Sequence, residues 1–158
     1  MEGLLKGRRV LVAASGSIAA VKMPLLVSAL VKAGAEVRCV VTKSAAELVS
    51  PLALATLSRQ PCLQDSDQWD AARPRPLHIE LAEWSELVIV APLSASSLAR
   101  WVHGDGEGLL ASLLLACECP VLAAAAMNTA MWQHPAVQRN WHLLQQDPRV
   151  LPLQPEGG

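Results

Sequence analysis

The stretch RVLVAASGSIAAVK (Arg9–Lys22) decides the fold class of this chain of 158 residues. Arg9–Ala14 is a continuous apolar run rich in Val and Leu, which is typical of a central parallel strand because such strands are buried on both faces. Gly16 interrupts the run, and helical periodicity follows over Ile18–Ala33, where Pro24 marks a bend or a restarted first turn. The stretch therefore predicts a strand that leads through a tight turn into a helix.

The same alternation continues along the rest of the chain. Further strands are expected at Glu36–Thr42, Leu87–Ala91, Val121–Ala125 and Val150–Leu153. Helices are expected at Ser44–Val49, Pro51–Leu57, Ser94–Val102, Leu109–Ala116 and Pro135–Gln146. Arg59–Pro76 contains three prolines and is expected to be a surface connection. Strands that alternate with helices predict a single α/β domain with a doubly wound, Rossmann-like or flavodoxin-like parallel sheet.

Composition excludes several classes of function. The chain is 52% hydrophobic and 17% charged with a net charge of −1, so it lacks the basic surface that nucleic acids or anionic membranes require. Leu109–Met127 is nearly all apolar, but Glu118 and Pro120 stand at its centre, where a membrane-spanning helix accepts them least. We therefore expect a cytoplasmic protein with neither nucleic acid nor membrane as a partner.

The four cysteines do not form a metal-binding pattern. Only Cys117 and Cys119 are close in sequence, and no second pair completes a zinc site. We expect buried thiols in a reducing compartment and no bound metal.

Hydroxyl-rich turns follow three of the predicted strands. The carboxyl ends of parallel strands share one edge of the sheet, where ligands bind, and N–H groups at helix starts attract anions. Three such turns together predict a site for one phosphate group, although each serine alone could be an ordinary helix cap. The residues concerned are Gly16, Ser17 and Ile18, then Thr42 and Ser44, then Ser94, Ala95, Ser96 and Ser97.

Two further residues carry polar chemistry. Asn128 follows the strand Val121–Ala125 and supplies two N–H donors and one acceptor, which suits a carboxylate or amide. His78 enters a helix, where it could transfer a proton near neutral pH or simply cap the helix. The alternative, purely structural interpretation of the Asn128 segment is a strand-to-helix turn whose methionines pack in the core.

Four segments resemble one family, the flavin-containing cysteine decarboxylases that include phosphopantothenoylcysteine decarboxylase. AAMNTAMW resembles its PxMNxxMW signature, with Ala125 where the family has Pro, and SGSIAAVK is similar to its flavin-phosphate turn. APLSASS resembles its AP-x-SANT pattern, with Ser96 in place of Asn and Ser97 in place of Thr. LHIEL resembles the segment that carries the family's catalytic histidine, which corresponds to His78.

The resemblance implies an activity, a cofactor and roles for single residues. It implies FMN bound by the hydroxyl-rich turns and Ala126, a substrate site at Asn128 and Met131, and catalysis by His78 and Asn128. The reaction would be FMN-dependent decarboxylation of phosphopantothenoylcysteine to phosphopantetheine in coenzyme A biosynthesis. Oxidation at the C–S centre gives a thioaldehyde, from which CO2 departs to leave an enethiolate. The alternatives are oxidative decarboxylation of a peptide's C-terminal cysteine, a non-catalytic FMN-binding regulatory subunit, and an α/β domain without flavin.

The resemblance also carries expectations about assembly and completeness. Family members place the flavin between subunits, so homotrimers or higher oligomers are expected and His78 would serve a neighbour's cofactor. The bacterial two-domain members continue into a cysteine-bearing flap and a synthetase domain. Neither is found within these residues, so we expect a chain that is truncated before the flap and that stalls after CO2 loss.

Overall fold

Six parallel strands form the sheet of the computed structural model, which describes residues 3–156. Their order is β3-β2-β1-β4-β5-β6, so the direction of winding reverses between β1 and β4. This arrangement is the doubly wound fold that the sequence predicts. The strands are β1 (Arg9–Ala14), β2 (Glu36–Val41), β3 (Cys62–Leu63), β4 (Leu87–Leu93), β5 (Val121–Ala125) and β6 (Val150–Leu153).

Helices cover both faces of this sheet. They are α1 (Met23–Lys32), α2 (Lys43–Ala46), α3 (Pro51–Ser58), α4 (Leu77–Trp84), α5 (Ala95–Val102), α6 (Leu109–Ala116), α7 (Thr129–Gln133) and α8 (Pro135–Gln145). Side chains of α1, α2 and α3 bury one core with Val10 and Val12, whereas α4, α5, α6 and α8 bury a second core with Leu11 and Ala13. Because successive β1 side chains point to opposite faces, one apolar run supplies both cores.

Two local features differ from the sequence-based expectation, whereas Pro24 lies in a restarted first turn as expected. The segment expected to be helical from Ile18 begins as a 3-10 helix, Ile18–Lys22, and α1 starts at Met23 with Pro24 in its first turn. Proline lacks an N–H, so it fits a first turn, where that group has no partner within the helix. The second difference is α7, a short helix after Asn128 that the apolar pattern does not reveal.

Arg59–Pro76 is more ordered than a surface connection. It contains β3, whose two residues Cys62 and Leu63 pair with Cys39 and Val40, and a 3-10 helix at Asp65–Asp67. A strand of two residues shows no alternation, which is why the sequence pattern does not predict it.

The apolar stretch Leu109–Met127 is divided into α6, a turn and β5. Leu109, Leu110, Leu113 and Leu114 are buried in the core on that face of the sheet. Among residues 3–156, no helix has the length and apolar character needed to cross a membrane.

Candidate functional site

A cleft of about 1420 Å³ lies along the carboxyl edge of the sheet and spans the point where the strand order reverses. All of the residues predicted to bind cofactor or substrate line this cleft, whereas His78 does not. The cleft-lining residues that the sequence predicted are Gly16, Ser17, Ile18, Thr42, Ser44, Ser94, Ala95, Ser96, Ser97, Ala126, Asn128 and Met131.

Three hydroxyl groups at this edge cap helices and still have a proton to donate. Ser17 Oγ accepts from the backbone N–H of Ala19 at 3.4 Å, and Thr42 Oγ1 accepts from Ala45 at 3.2 Å. Ser94 Oγ accepts from the N–H of Ser97 at 3.2 Å. A hydroxyl that accepts one bond keeps its O–H as a donor, so each cap can also donate to an anion in the cleft.

The turn at Gly16 brings two chain segments closer than a side chain would allow. A Cβ built on Gly16 would stand 2.6 Å from Cβ of Ser44, well inside contact distance. Glycine is therefore required by the approach of α2 to this turn. The approach joins the hydroxyl-rich turns after β1 and β2 in one concave surface.

Ser15 is a structural residue of the site that sequence reasoning missed. It is fully buried, and its hydroxyl donates to the carbonyl of Pro92 at 2.9 Å while it accepts from the N–H of Ser94 at 2.7 Å. The backbone N–H of Ser15 also donates to Pro92 at 3.0 Å. These bonds fix the turn after β1 against the turn after β4. A small hydroxyl residue directly after a strand was the only signal in the sequence.

Asn128 presents its amide to the cleft in a defined orientation. Its Oδ1 accepts from the N–H of Met131 at 2.9 Å and so caps α7. A backbone N–H can only donate, which assigns the oxygen to this position and leaves Nδ2 on the other side. Nδ2 donates to no other group within residues 3–156, so two N–H donors are available to a ligand. Met131 lies beside it, partly exposed and also on the cleft.

Cationic side chains border the same cleft. Lys22 and Lys43 lie on it, as does Arg100, whose Nη1 is 3.6 Å from Oδ2 of Asp105. No ion pair of Lys22 or Lys43 occurs within the described residues. Exposed cations beside hydroxyl donors favour a phosphate-bearing ligand.

His78 lies in the first turn of α4, outside the cleft, where it contacts two residues that line the cleft. Its Nδ1 is 2.9 Å from Nε2 of Gln68, and its ring packs edge-on against Trp69 with centroids 6.1 Å apart. Gln68 and Trp69 both line the cleft, whereas the His78 ring does not. Of the residues predicted to act in catalysis, the fold of one chain therefore brings Asn128 to the cleft and leaves His78 at its margin.

Asp65 belongs to the same segment as Gln68 and is a second structural residue of the site that the sequence analysis did not predict. Its Oδ1 accepts from the N–H of Leu109 at 2.8 Å and so caps α6 across a long sequence separation. The local cap position is Gly108, which has no side chain and a φ of +96° that favours glycine. Asp65 thus replaces the missing local cap and fixes one wall of the cleft.

The cysteines stand apart from the cleft, as expected for structural thiols. Burial raises the pKa of Cys39 to about 12, that of Cys62 to about 11 and that of Cys117 to about 12. Thiols with such pKa values stay protonated near neutral pH and are poor nucleophiles. No cysteine lines the cleft, and no group of three or more residues suited to metal binding occurs within residues 3–156.

Comparison with known proteins places this architecture in a family. The model of the flavoprotein family matches residues 2–157. The chain belongs to the flavoprotein family. The strand order, the glycine turn and the hydroxyl caps described above are therefore those of a flavoprotein-family domain.

Relatives within the flavoprotein family include biosynthetic enzymes. The chain is 41% identical over 145 residues to the coenzyme A biosynthesis bifunctional protein CoaBC of Bacillus subtilis (strain 168), covering 91% of this chain and 35% of that protein. The match to CoaBC of Vibrio parahaemolyticus serotype O3:K6 (strain RIMD 2210633) is also 41% identical, over 86% of this chain and 34% of that protein. The chain thus spans about a third of the length of these relatives.

Solved structures agree over nearly the whole chain. The FMN-dependent cysteine decarboxylase SpaF superposes with a TM-score of 0.89 at 31% identity, covering 98% of this chain and 87% of that one. A PPC decarboxylase mutant complexed with pantothenoylaminoethenethiol superposes with a TM-score of 0.84 at 35% identity, covering 94% of this chain and 82% of that one. These proteins confirm the doubly wound fold and the family membership predicted from the sequence.

Proposed function

We propose that this domain binds FMN and decarboxylates phosphopantothenoylcysteine to phosphopantetheine in coenzyme A biosynthesis, in the cytoplasm. The observation that carries the proposal is one cleft that unites the hydroxyl caps of β1, β2 and β4 with the amide of Asn128. Relatives named as coenzyme A biosynthesis proteins and as PPC decarboxylase support it. The peptidyl-cysteine and regulatory alternatives are not favoured by these relatives.

The residues present fit FMN. The cleft volume of about 1420 Å³ accommodates a flavin mononucleotide together with a small substrate. One cluster of O–H and N–H donors, around Ser17, Thr42 and Ser94, suits one phosphate and not the two of a dinucleotide. Small and apolar residues line another part of the cleft and suit a flat ring system; these are Ala124, Ala125, Ala126 and Met127.

FMN held by these residues would supply a two-electron acceptor for the C–S centre of the substrate, which would make loss of CO2 feasible. Asn128 holds the substrate through the N–H donors of Nδ2, which suit its carboxylate. Met131 packs beside the substrate at the same edge. His78 donates a ring N–H to the substrate and so stabilises the charge that develops there during the reaction.

His78 acts in this proposal on the cleft of a neighbouring subunit, because it does not line the cleft of its own chain. Exposed apolar side chains support assembly: Ile18 is 72% exposed and Leu25 75%, with Val21 between them on the same stripe. The apolar Leu109–Met127 gives no such support, since α6 and β5 are largely buried within one chain. We propose a homotrimer, which light scattering of the FMN-bound protein tests directly. A monomer that retains flavin would overturn the trimer, and Leu25→Glu is expected to disrupt it.

The activity is tested by anaerobic mixing of the FMN-loaded protein with phosphopantothenoylcysteine. We expect bleaching of the flavin absorbance and release of CO2, which require only the residues described above. His78→Asn is expected to abolish bleaching because the imidazole N–H that stabilises the developing charge is removed. Asn128→Asp is also expected to abolish it, since an aspartate keeps the cap on Met131 but places a carboxylate against the substrate's own.

Further variants separate the effect of the added charge at residue 128 from the loss of its capping oxygen, and the role of His78 from that of Asn128. Asn128→Ser keeps a capping oxygen without adding charge, so it is expected to weaken substrate binding less than Asn128→Asp. Mixed oligomers of His78→Asn and Asn128→Asp chains are expected to regain part of the bleaching, because each supplies the residue that the other lacks. Wild-type protein that binds FMN but is not bleached by the substrate would contradict the proposed function.

A further inference from the structure

Gln68 lines the cleft, but its side chain is buried, and a role in lining the cleft does not explain that burial. It follows the 3-10 helix Asp65–Asp67 and is only 5% exposed. Buried amides are retained where their hydrogen bonds are satisfied. Within residues 3–156, this amide makes two hydrogen bonds, and both go to a single residue, His78.

The two bonds fix the orientation of the Gln68 amide. The backbone N–H of His78 lies 3.2 Å from Oε1 of Gln68, and a backbone N–H can only donate. Oε1 is therefore the acceptor, and the group 2.9 Å from Nδ1 of His78 is the NH2 of Gln68. An NH2 group can only donate, so Nδ1 of His78 must be the acceptor.

The bond to the backbone has a structural reason of its own. The cap position of α4 is Pro76, which makes no side-chain capping bond, so Gln68 satisfies an N–H in the first turn of the helix. One amide therefore holds both the backbone and the ring of His78. Trp69, packed edge-on at 6.1 Å, closes another side of the ring.

We propose that Gln68 is a positioning residue that holds the neutral imidazole of His78 in the tautomer protonated at Nε2. With Nδ1 occupied as an acceptor, Nε2–H is the only ring donor, and it has no partner within residues 3–156. Nε2–H is thus the ring group that a substrate meets. The use of this group in the reaction rests on the proposed function, whereas the tautomer does not.

The tautomer is measured on the full chain labelled with 15N in its histidines. Long-range 1H–15N correlation at about pH 8, above the ordinary histidine pKa of about 6.5, distinguishes protonated from unprotonated ring nitrogens. His78→Asn identifies the signals of His78. His134 is an internal control, because its Nδ1 accepts from the N–H of Ala136 at 3.0 Å and the same tautomer is expected there.

Gln68→Glu reverses the polarity at one atom while it retains the other bond. One carboxylate oxygen still accepts from the backbone of His78, but the second now accepts at Nδ1 and draws the proton there. We expect His78 to be protonated at Nε2 in the wild type and at Nδ1 in this variant, with His134 unchanged. A wild-type His78 protonated at Nδ1, or one that Gln68→Glu leaves as it was, would overturn the proposal.

A second readout separates this inference from the proposed function. FMN-loaded Gln68→Glu is expected to be bleached by phosphopantothenoylcysteine on the order of 100-fold more slowly per bound FMN. A switched tautomer with an unchanged rate, while His78→Asn is inactive, would refute the use of Nε2–H. If His78→Asn is bleached like the wild type, the assigned role of His78 fails but the tautomer result stands.

Discussion

The two walls of the cleft are built by interactions of different range. On the wall formed by the turns after β1, β2 and β4, each capping hydroxyl bonds to an N–H two or three residues further along. On the wall lined by Asp65 and Gln68, Gln68 bonds to His78 ten residues away, and Asp65 bonds to Leu109 at a separation of 44. The capping bonds of the first wall are encoded by local sequence, although Ser15 joins its turns over a long range, whereas the bonds of the second wall exist only once α4 and α6 have packed. Variants on each wall should therefore fail in different ways.

Ser17→Asp is expected to have the largest effect, and to act on the ligand and not on the fold. Aspartate is as good a helix cap as serine, so the 3-10 helix at Ile18–Lys22 should persist. The new carboxylate would face the phosphate, and such like-charge contacts cost several kcal/mol, on the order of a 1000-fold loss of FMN affinity. Fluorescence titration with FMN and the flavin content after purification measure the loss.

Ser50→Asp is the matched control for Ser17→Asp. Ser50 also caps a helix, accepting from Ala53 at 3.1 Å, but it does not line the cleft. We expect this variant to bind FMN like the wild type. Equal flavin content in both variants would show that the phosphate lies elsewhere.

Asp65→Ala tests the wall lined by Asp65 and Gln68, where loss of stability should precede loss of ligand. The N–H of Leu109 would lose its acceptor, and removal of a capping side chain costs about 1 kcal/mol in the free energy of unfolding. Asp65→Asn keeps an acceptor oxygen and is expected to cost less. Denaturant unfolding of the FMN-free protein measures both, and wild-type stability of Asp65→Ala would remove the distinction between the two walls.

The range of these interactions explains how much the sequence could predict. The apolar runs at Arg9–Ala14 and Val121–Ala125 predict central strands because their burial is visible residue by residue. The cap at Ser17 is visible because a predicted helix follows at once, whereas the cap at Asn128 is not, because the short helix α7 was not predicted. The strand β3 is not visible in the sequence, because its two residues are fixed only by pairing with β2.

Long-range polar partners stay hidden for the same reason. Gln68 stands in a polar segment, and nothing in that segment shows that its amide is buried against His78. Ser15 is adjacent to a predicted turn, yet its bonds to Pro92 and Ser94 connect residues more than 70 positions away. Sequence patterns therefore predicted the groups that line the cleft better than the groups that hold them in place.

Ser96→Asn is expected to have the smallest effect and tests whether the local wall is already optimal. Ser96 is exposed in the first turn of α5, and its hydroxyl makes no hydrogen bond within residues 3–156. Asparagine, which the family pattern has at this position, adds N–H donors on the same cleft. One added hydrogen bond contributes about 1 kcal/mol, so FMN should bind up to roughly fivefold more tightly, with unchanged unfolding. Weaker binding in the titration would instead mean that the serine is fitted to this chain's own arrangement of donors, and that the wall encoded by local sequence also depends on its distant neighbours.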